Sequence, residues 1–230
     1  MIVEEDKARN FRREMRQLVD THELMRHSFF AQLCSPSAQP TLLLTWALQD
    51  RHVSYMFPRL IATIISQASA TSMTDVRNRM PLVRNLWEEV GEGNPLFAHS
   101  TLIDDLLASI GTERDRLDVP MLPATRAYID LQFQFAMASA VAGTAAFCYA
   151  NEYLALQEYG PIKDAVLRAF PQADVRFFDA NAEADGRHTA LAEKALLGYC
   201  RDSGDLLEAR RAVEESLAAR RCFYDDILVA

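Results

Sequence analysis

Residues 128–159 read YIDLQFQFAMASAVAGTAAFCYANEYLALQEY. Wound at 3.6 residues per turn, this Ala- and aromatic-rich stretch is apolar on nearly every side. An element of that kind needs neighbours all round it, so the segment from Pro123 to about Tyr159 is predicted as the central, most buried helix of a bundle. The other long segments carry the same period and none shows sustained alternation, so the chain reads as all-α. With 230 residues, half of them hydrophobic, it can build one sizeable core. Eight Gly and nine Pro leave no room for long linkers. We therefore expect a single domain over residues 1–230.

The other elements are set by their punctuation. A first helix is expected from about Glu5 to Arg26, then HSFFAQLC and a turn-rich break, SPSAQP, at residues 35–40. A long second helix should start at Thr41, with Pro58 kinking it. The third, TDVRNRMPLVRNLWEEVGEG, should end at Gly91 and Gly93. Asn94 as N-cap and Pro95 at the first helical position open LFAHSTLIDDLLASIG. Beyond the central helix, Pro161 should open a short helix to Phe170, and segments 171–199 and 201–226 close the chain.

Charge and apolar content narrow the partners. A net charge of −8, with no Lys/Arg stripe, argues against nucleic acid. No 18-residue apolar run exists, so no membrane span is expected. The N-terminus, MIVEEDKARNFRREMRQ, lacks the apolar core of a secretory signal. Cys34, Cys148, Cys200 and Cys222 are scattered without CxxC spacing and read as reduced thiols of a cytoplasmic protein.

Three segments place carboxylates or imidazoles where a core would not want them. Glu89 stands near the end of one helix and His99 one turn into the next, across the GEGNP bend. Glu152 lies in the apolar helix, where an unpaired carboxylate costs several kcal/mol and must be paired, at an end, or on a metal. In FFDANAEADGRH, Asn181, Asp185 and His188 fall at i, i+4 and i+7, within about 40° of one stripe. Three carboxylates and two imidazoles of this kind suit a non-haem Fe or Mn centre better than a structural zinc site.

The wording of these segments resembles the haem-oxygenase-like diiron oxidase and oxygenase superfamily, relatives of TenA- and PqqC-type proteins, from about residue 20 to about 200. His27-Ser28-Phe29-Phe30 is similar to the family's HPFF element, and WALQDRHVSYMFPRL to its second helix. Asn85, Glu89, Gly91 and Gly93, then His99, resemble its N-x-x-x-E-x-G element and first histidine ligand. Glu152 takes the place of the mid-chain Glu ligand. FFDANAEADGRH is similar to FF-x-x-H-x-x-x-D-x-x-H except at Asn181, where the pattern has His. The resemblance implies a single-domain haem-oxygenase-like bundle of seven to eight helices. It implies one or two Fe(II) ions on Glu89, His99, Glu152, Asp185 and His188, with Asn181 a weak replacement, and O2 as co-substrate. Glu89 and Glu152 would bridge, His99 and His188 would anchor the first iron, and Asp185 the second. The implied activity is oxidation of a small amino-acid-like or acyl substrate in a biosynthetic pathway, by N-oxygenation, desaturation or C–C cleavage. A homodimer and an external electron donor belong to the same expectation.

Plainer readings stand beside these. Glu88, about 100° from Glu89, is expected on the solvent face; Glu92, about 60° away, is a further candidate ligand; Glu183 points away. Gln49, His52, Met56 and Arg59 form a polar stripe on the second helix. It is either a hydrogen-bonded seam or one wall of a substrate pocket, with Arg59 free to hold a carboxylate. His27 should pack or cap. Cys148, four residues before Glu152, is read as core rather than as a thiaminase-like nucleophile. The alternatives are a metal-free PqqC- or thiaminase-like enzyme and a non-catalytic ligand-binding relative.

Overall fold

The computed structural model describes residues 2–35, 40–69, 71–113 and 117–230, with the backbone alone described at 2–5 and 185. The tip of the SPSAQP break (36–39) lies outside the described residues. Ten α-helices and no strand occur among the described residues: α1 Ile2–Thr21, α2 Ser28–Leu33, α3 Pro40–Gln67, α4 Met73–Glu89, α5 His99–Ser109, α6 Pro123–Ala138, α7 Ala140–Phe147, α8 Leu154–Ala169, α9 Arg176–Tyr199 and α10 Ser203–Val229. One-turn 3-10 helices fill Glu23–Arg26 and Pro95–Phe97, and Cys148–Tyr153 is a π turn joining α7 to α8.

The count exceeds the expected seven or eight because the sequence punctuates itself more finely than its apolar period shows. The first helix stops at Thr21, not Arg26: His22 turns extended and its Nδ1 accepts from Leu24 N–H (3.3 Å). His27 caps α2, accepting from Phe29 N–H at 3.2 Å, while its Nε2 meets Asp225 at 2.9 Å. Asn94 caps the short 3-10 turn, not α5, whose first residue is His99. Met73 opens α4 behind a capping box in which Ser72 and Asp75 satisfy each other's backbone N–H.

The central rod is broken. Ser139 is extended (φ −163°, ψ 159°), so α6 and α7 meet at a corner rather than in line. Its hydroxyl accepts from Ala142 N–H at 3.0 Å and donates to Glu208 at 2.8 Å, which anchors the corner to α10. Gly143 lets the two helices touch: a Cβ there would stand 2.7 Å from Ala136 Cα and 2.9 Å from Ile64 Cγ1. Pro161 does not open a helix but sits inside α8. Its ring would crowd the Cβ of the preceding residue, and Gly160 has none.

Every residue of α7 from Val141 to Phe147 is buried, as are Cys148–Glu152 of the π turn. They are enclosed by α6, α9 and α10, with α3 across α7 and α1 across the π turn. Beside this core lies a buried ionic knot. Arg220 on α10 donates to Asp50 of α3 (2.9 Å) and Glu158 of α8 (3.0 Å), with Tyr224 at 3.3 Å. Burial pushes the Glu158 carboxyl up, and Arg220 pulls it back only in part. Removing the cation leaves two carboxylates without their counter-charge. Arg220→Ala should therefore cost about 3–5 kcal/mol, read as a drop in unfolding free energy in urea. A loss under about 1 kcal/mol would show that the knot contributes little.

Candidate metal centre

Four elements converge behind α7. Glu89 is the last residue of α4, His99 the first of α5, Glu152 lies in the π turn and His188 in the middle of α9. All four side chains are buried, His188 completely.

The approach of Glu89 to His99 is a product of the turn between them. Gly91 N–H bonds Glu88 O and Glu92 N–H bonds Trp87 O, both at 2.9 Å, which is the paired bond pattern of a Schellman stop. Gly91, Glu92 and Gly93 all have left-handed backbone (φ +82°, +54° and +90°). The chain reverses, Asn94 starts a single 3-10 turn, and His99 arrives with Nδ1 3.1 Å from Glu89 Oε2. Helix α4 is held to α9 behind the site by Asn85, whose amide donates to His188 O at 3.4 Å.

Glu152 owes its aim to the π turn. Widening the helix by one residue re-phases every later position, and such turns recur at functional sites. Asn151 pins this one: its amide donates to Ala146 O (3.1 Å) and Gln132 Oε1 (3.0 Å), and its oxygen accepts from Tyr128 (2.5 Å).

His188 is the hub. Nδ1 lies 3.5 Å from Glu89 Oε1 and 3.4 Å from Glu152 Oε2. Nε2 lies 2.8 Å from Glu88 Oε2. Burial opposes the charged imidazole, but Glu152, Glu89 and Glu88 outweigh it and raise its pKa to about 10. Burial likewise pushes Glu152 up, against the pull of His188. Glu89 is held low despite its burial, by His99 above all, and His99 is raised in turn by Glu89.

Glu88 is not on the solvent face. Packing of α4 against α9 covers it, and Arg84 (2.8 Å to Oε1) and Arg187 (2.9 Å to Oε2) supply the charges that make its burial tolerable. Against the cost of burial, these guanidinium groups and His188 hold its pKa at about 2. The hint was present in sequence: Arg84 is one turn before Glu88, and Arg187 is the neighbour of His188.

The remaining candidates fall as follows. Asn181 reaches the same cavity, but its amide N–H donates to Phe177 O on its own helix at 2.7 Å. The Asp185 side chain lies outside the described residues. Glu92 is exposed on the left-handed turn, and Glu183 is exposed on α9. Cys148 is buried with its thiol towards Thr189 O (3.5 Å), and burial pushes that thiol well up, so it presents no thiolate to a substrate. The polar stripe of α3 is a seam, not a wall of this cavity. Gln49 bonds Pro120 O (3.2 Å) and Leu122 N–H (2.9 Å), and His52 bonds Val119 O (3.0 Å). Met56 is core, and Arg59 lies over the Phe133 ring at 5.5 Å. From α3 the cavity is lined by Ser54 and Phe57, one helical step away, which the stripe's period could not single out.

One donor atom each from Glu89, Glu152 and His188 lie within 4.8 Å of one another. Glu152 Oε1 and His188 Nδ1 are buried without a hydrogen bond. Buried polar atoms are almost always satisfied, and a cation held between Glu89, Glu152 and His188 would satisfy both of these. A mixed shell of carboxylate oxygen and imidazole nitrogen fits iron or manganese, so the residues fit a non-haem metal.

Residues 44–221 match the family described as iron-containing redox enzyme. No curated protein matches the chain. Among solved structures it is similar to a domain with a haem-oxygenase-like fold from Shewanella denitrificans (TM-score 0.77, 18% identity, covering 96% of this chain and 91% of that one). It is also similar to a TenA homologue from Pseudomonas syringae (TM-score 0.76, 17% identity, 98% and 92%). A CADD-like protein from Nostoc punctiforme gives TM-score 0.77 at 14% identity, covering 96% of each chain. At these identities the likeness is one of fold: the chain has the haem-oxygenase-like fold.

The turn between Glu89 and His99 makes a graded prediction. A Cβ on Gly91 would lie 2.2 Å from Asn94 O and 2.6 Å from Ala98 N, whereas one on Gly93 would meet only the Trp87 ring, at 3.1 Å. Either alanine costs about 1–2 kcal/mol for left-handed backbone, and Gly91→Ala must also open the turn. Gly91→Ala should lower the melting midpoint more than Gly93→Ala and weaken Co(II) binding, which Gly93→Ala should spare. Equal effects would mean that the turn does not set the Glu89–His99 approach.

Proposed function

The chain belongs to the family of iron-containing redox enzymes, and on that footing we propose that it is an O2-dependent, non-haem iron oxidase or oxygenase of a small molecule. The observation that carries this reading is the convergence of Glu89, Glu152 and His188 from three separate elements, with two of their atoms buried and unsatisfied. These three would hold iron, and His99, 3.1 Å from Glu89, is placed to join them. Iron held there supplies one-electron and O2 chemistry that no side chain of this site can perform.

The chain's own part is shape and polarity. The cavity against Glu89, His99 and Glu152 is about 20 Å³, room for a water or a diatomic molecule. Phe57, Ala155, Tyr159 and Phe177 form its apolar wall, while Ser54, Asn151 and Asn181 provide a polar edge. A substrate would set its reacting carbon or nitrogen against the apolar wall and a hydrogen-bonding group toward Ser54 and the amide oxygen of Asn181. A small amino-acid-like or acyl compound has both parts. N-oxygenation, desaturation and C–C cleavage are each compatible with such a pose.

Asn181 bears on stoichiometry. Its amide N–H is taken up by Phe177 O, and its neutral oxygen is a weaker donor than the imidazole of the family pattern. We therefore expect one tightly held iron per chain and a second held loosely.

Iron content tests the reading. The metal-free chain would be loaded anaerobically with Fe(II), desalted, and assayed for iron with and without candidate amino acids. One iron per chain, rising toward two with a substrate, is expected; none under any condition overturns the proposal. His188→Ala should abolish the tight iron, and unchanged content would remove His188 from the site. Asn181→His should raise occupancy of the second position in the same titration. No change would mean that position 181 does not face a second metal.

A further inference from the structure

We infer that Glu88 is a positioning residue that fixes His188 as a donor through Nδ1. The inference rests on the iron reading above and adds a role for a residue outside the ligand set.

The argument is one of donors and acceptors. Both oxygens of Glu88 are engaged: Oε1 accepts from Arg84 Nε at 2.8 Å, and Oε2 from Arg187 Nε and Nη2 at 3.0 and 2.9 Å. Nε2 of His188 meets the same Oε2 at 2.8 Å. A carboxylate gripped by two guanidinium groups has only acceptor sites to offer, so Nε2 carries a proton and donates it whether the ring is charged or neutral. Nδ1 is thereby left facing Glu89 Oε1 (3.5 Å) and Glu152 Oε2 (3.4 Å), and it makes no hydrogen bond. Carboxylates that accept from the far nitrogen of a metal-bound imidazole select its tautomer and hold its ring plane.

The clamp is built so that it does not drift from its ring. Arg187 precedes His188 on α9, while Arg84 and Glu88 are one turn apart on α4. The Asn85 amide on His188 O ties the same two helices. Glu88 supplies the hydrogen bond that fixes which ring edge faces Glu89 and Glu152; a half-turn about the Cβ–Cγ bond would put a carbon where Nδ1 stands.

The test uses Co(II) alone as the probe, followed by its visible absorption, on the full chain and on E88A, E88D and E88Q. E88A should weaken Co(II) binding about 10–100-fold. E88D, which keeps the charge for both arginines but draws the carboxylate off Nε2, should do the same if E88A fails to fold. E88Q keeps an acceptor oxygen and should recover most of the loss. In Zn(II)-loaded protein labelled with 15N-histidine, the parent should show Nδ1 bound and Nε2 protonated, a signature that E88D loses. A purely structural Glu88 would lower the metal-free melting midpoint while leaving affinity and that signature unchanged in E88D, and this result overturns the inference. A parent chain that binds neither Co(II) nor Fe(II) overturns the iron reading and this inference with it, and is told apart because the parent itself fails.

Discussion

His188 is an imidazole sealed from solvent with carboxylates on three sides, and the site is arranged around making that concentration of charge bearable. Each buried carboxylate would cost several kcal/mol if left alone. Glu88 is relieved by two arginines, Glu89 by His99, and Glu152 only in part, since one of its oxygens has no partner. The residual deficit of positive charge sits where three elements meet, and it is there that a divalent ion would offset the burial. The same logic operates in the ionic knot of Arg220, Asp50 and Glu158, but there the cation is covalently part of the chain. One buried cluster is closed by an arginine; the other has the donor set that a metal ion would complete.

Much of the molecule was legible in the residues. The 3.6-residue period gave the helices, Gly91 gave the end of α4 to within two residues, and the wording around Glu89, Glu152 and His188 pointed to one site. The illegible parts have physical causes. A π turn has no composition of its own: FCYANEY reads as α-helix until Asn151 is seen holding the wider turn open. The corner at Ser139 hides because Ser is common inside helices, and its capping role shows only once Glu208 is beside it. Glu88 was misplaced because angular offset from Glu89 says which way a residue points and not how wide a neighbouring helix is. Of the polar stripe from Gln49 to Arg59, Gln49 and His52 have their partners in the 117–122 segment, which periodicity on one helix cannot reveal. Pro161 looked like a beginning because its helix-starting preference was weighed without the Gly160 that lets it sit mid-helix.

The π turn at Cys148–Tyr153 has a consequence for how this architecture can change. One extra residue in a helix rotates everything after it by about 100°. Downstream of the turn lie Glu158 and Tyr159, which face Arg220 and Asp50. Removing a residue to restore an ordinary helix would not merely swing Glu152 off the site; it would also unscrew α8 from the ionic knot. Chemistry and folding are thus cut on a single thread. Point substitutions at Glu89, Glu152 or His188 can alter the site and leave the bundle standing, but a deletion in this turn would disturb both the site and the knot.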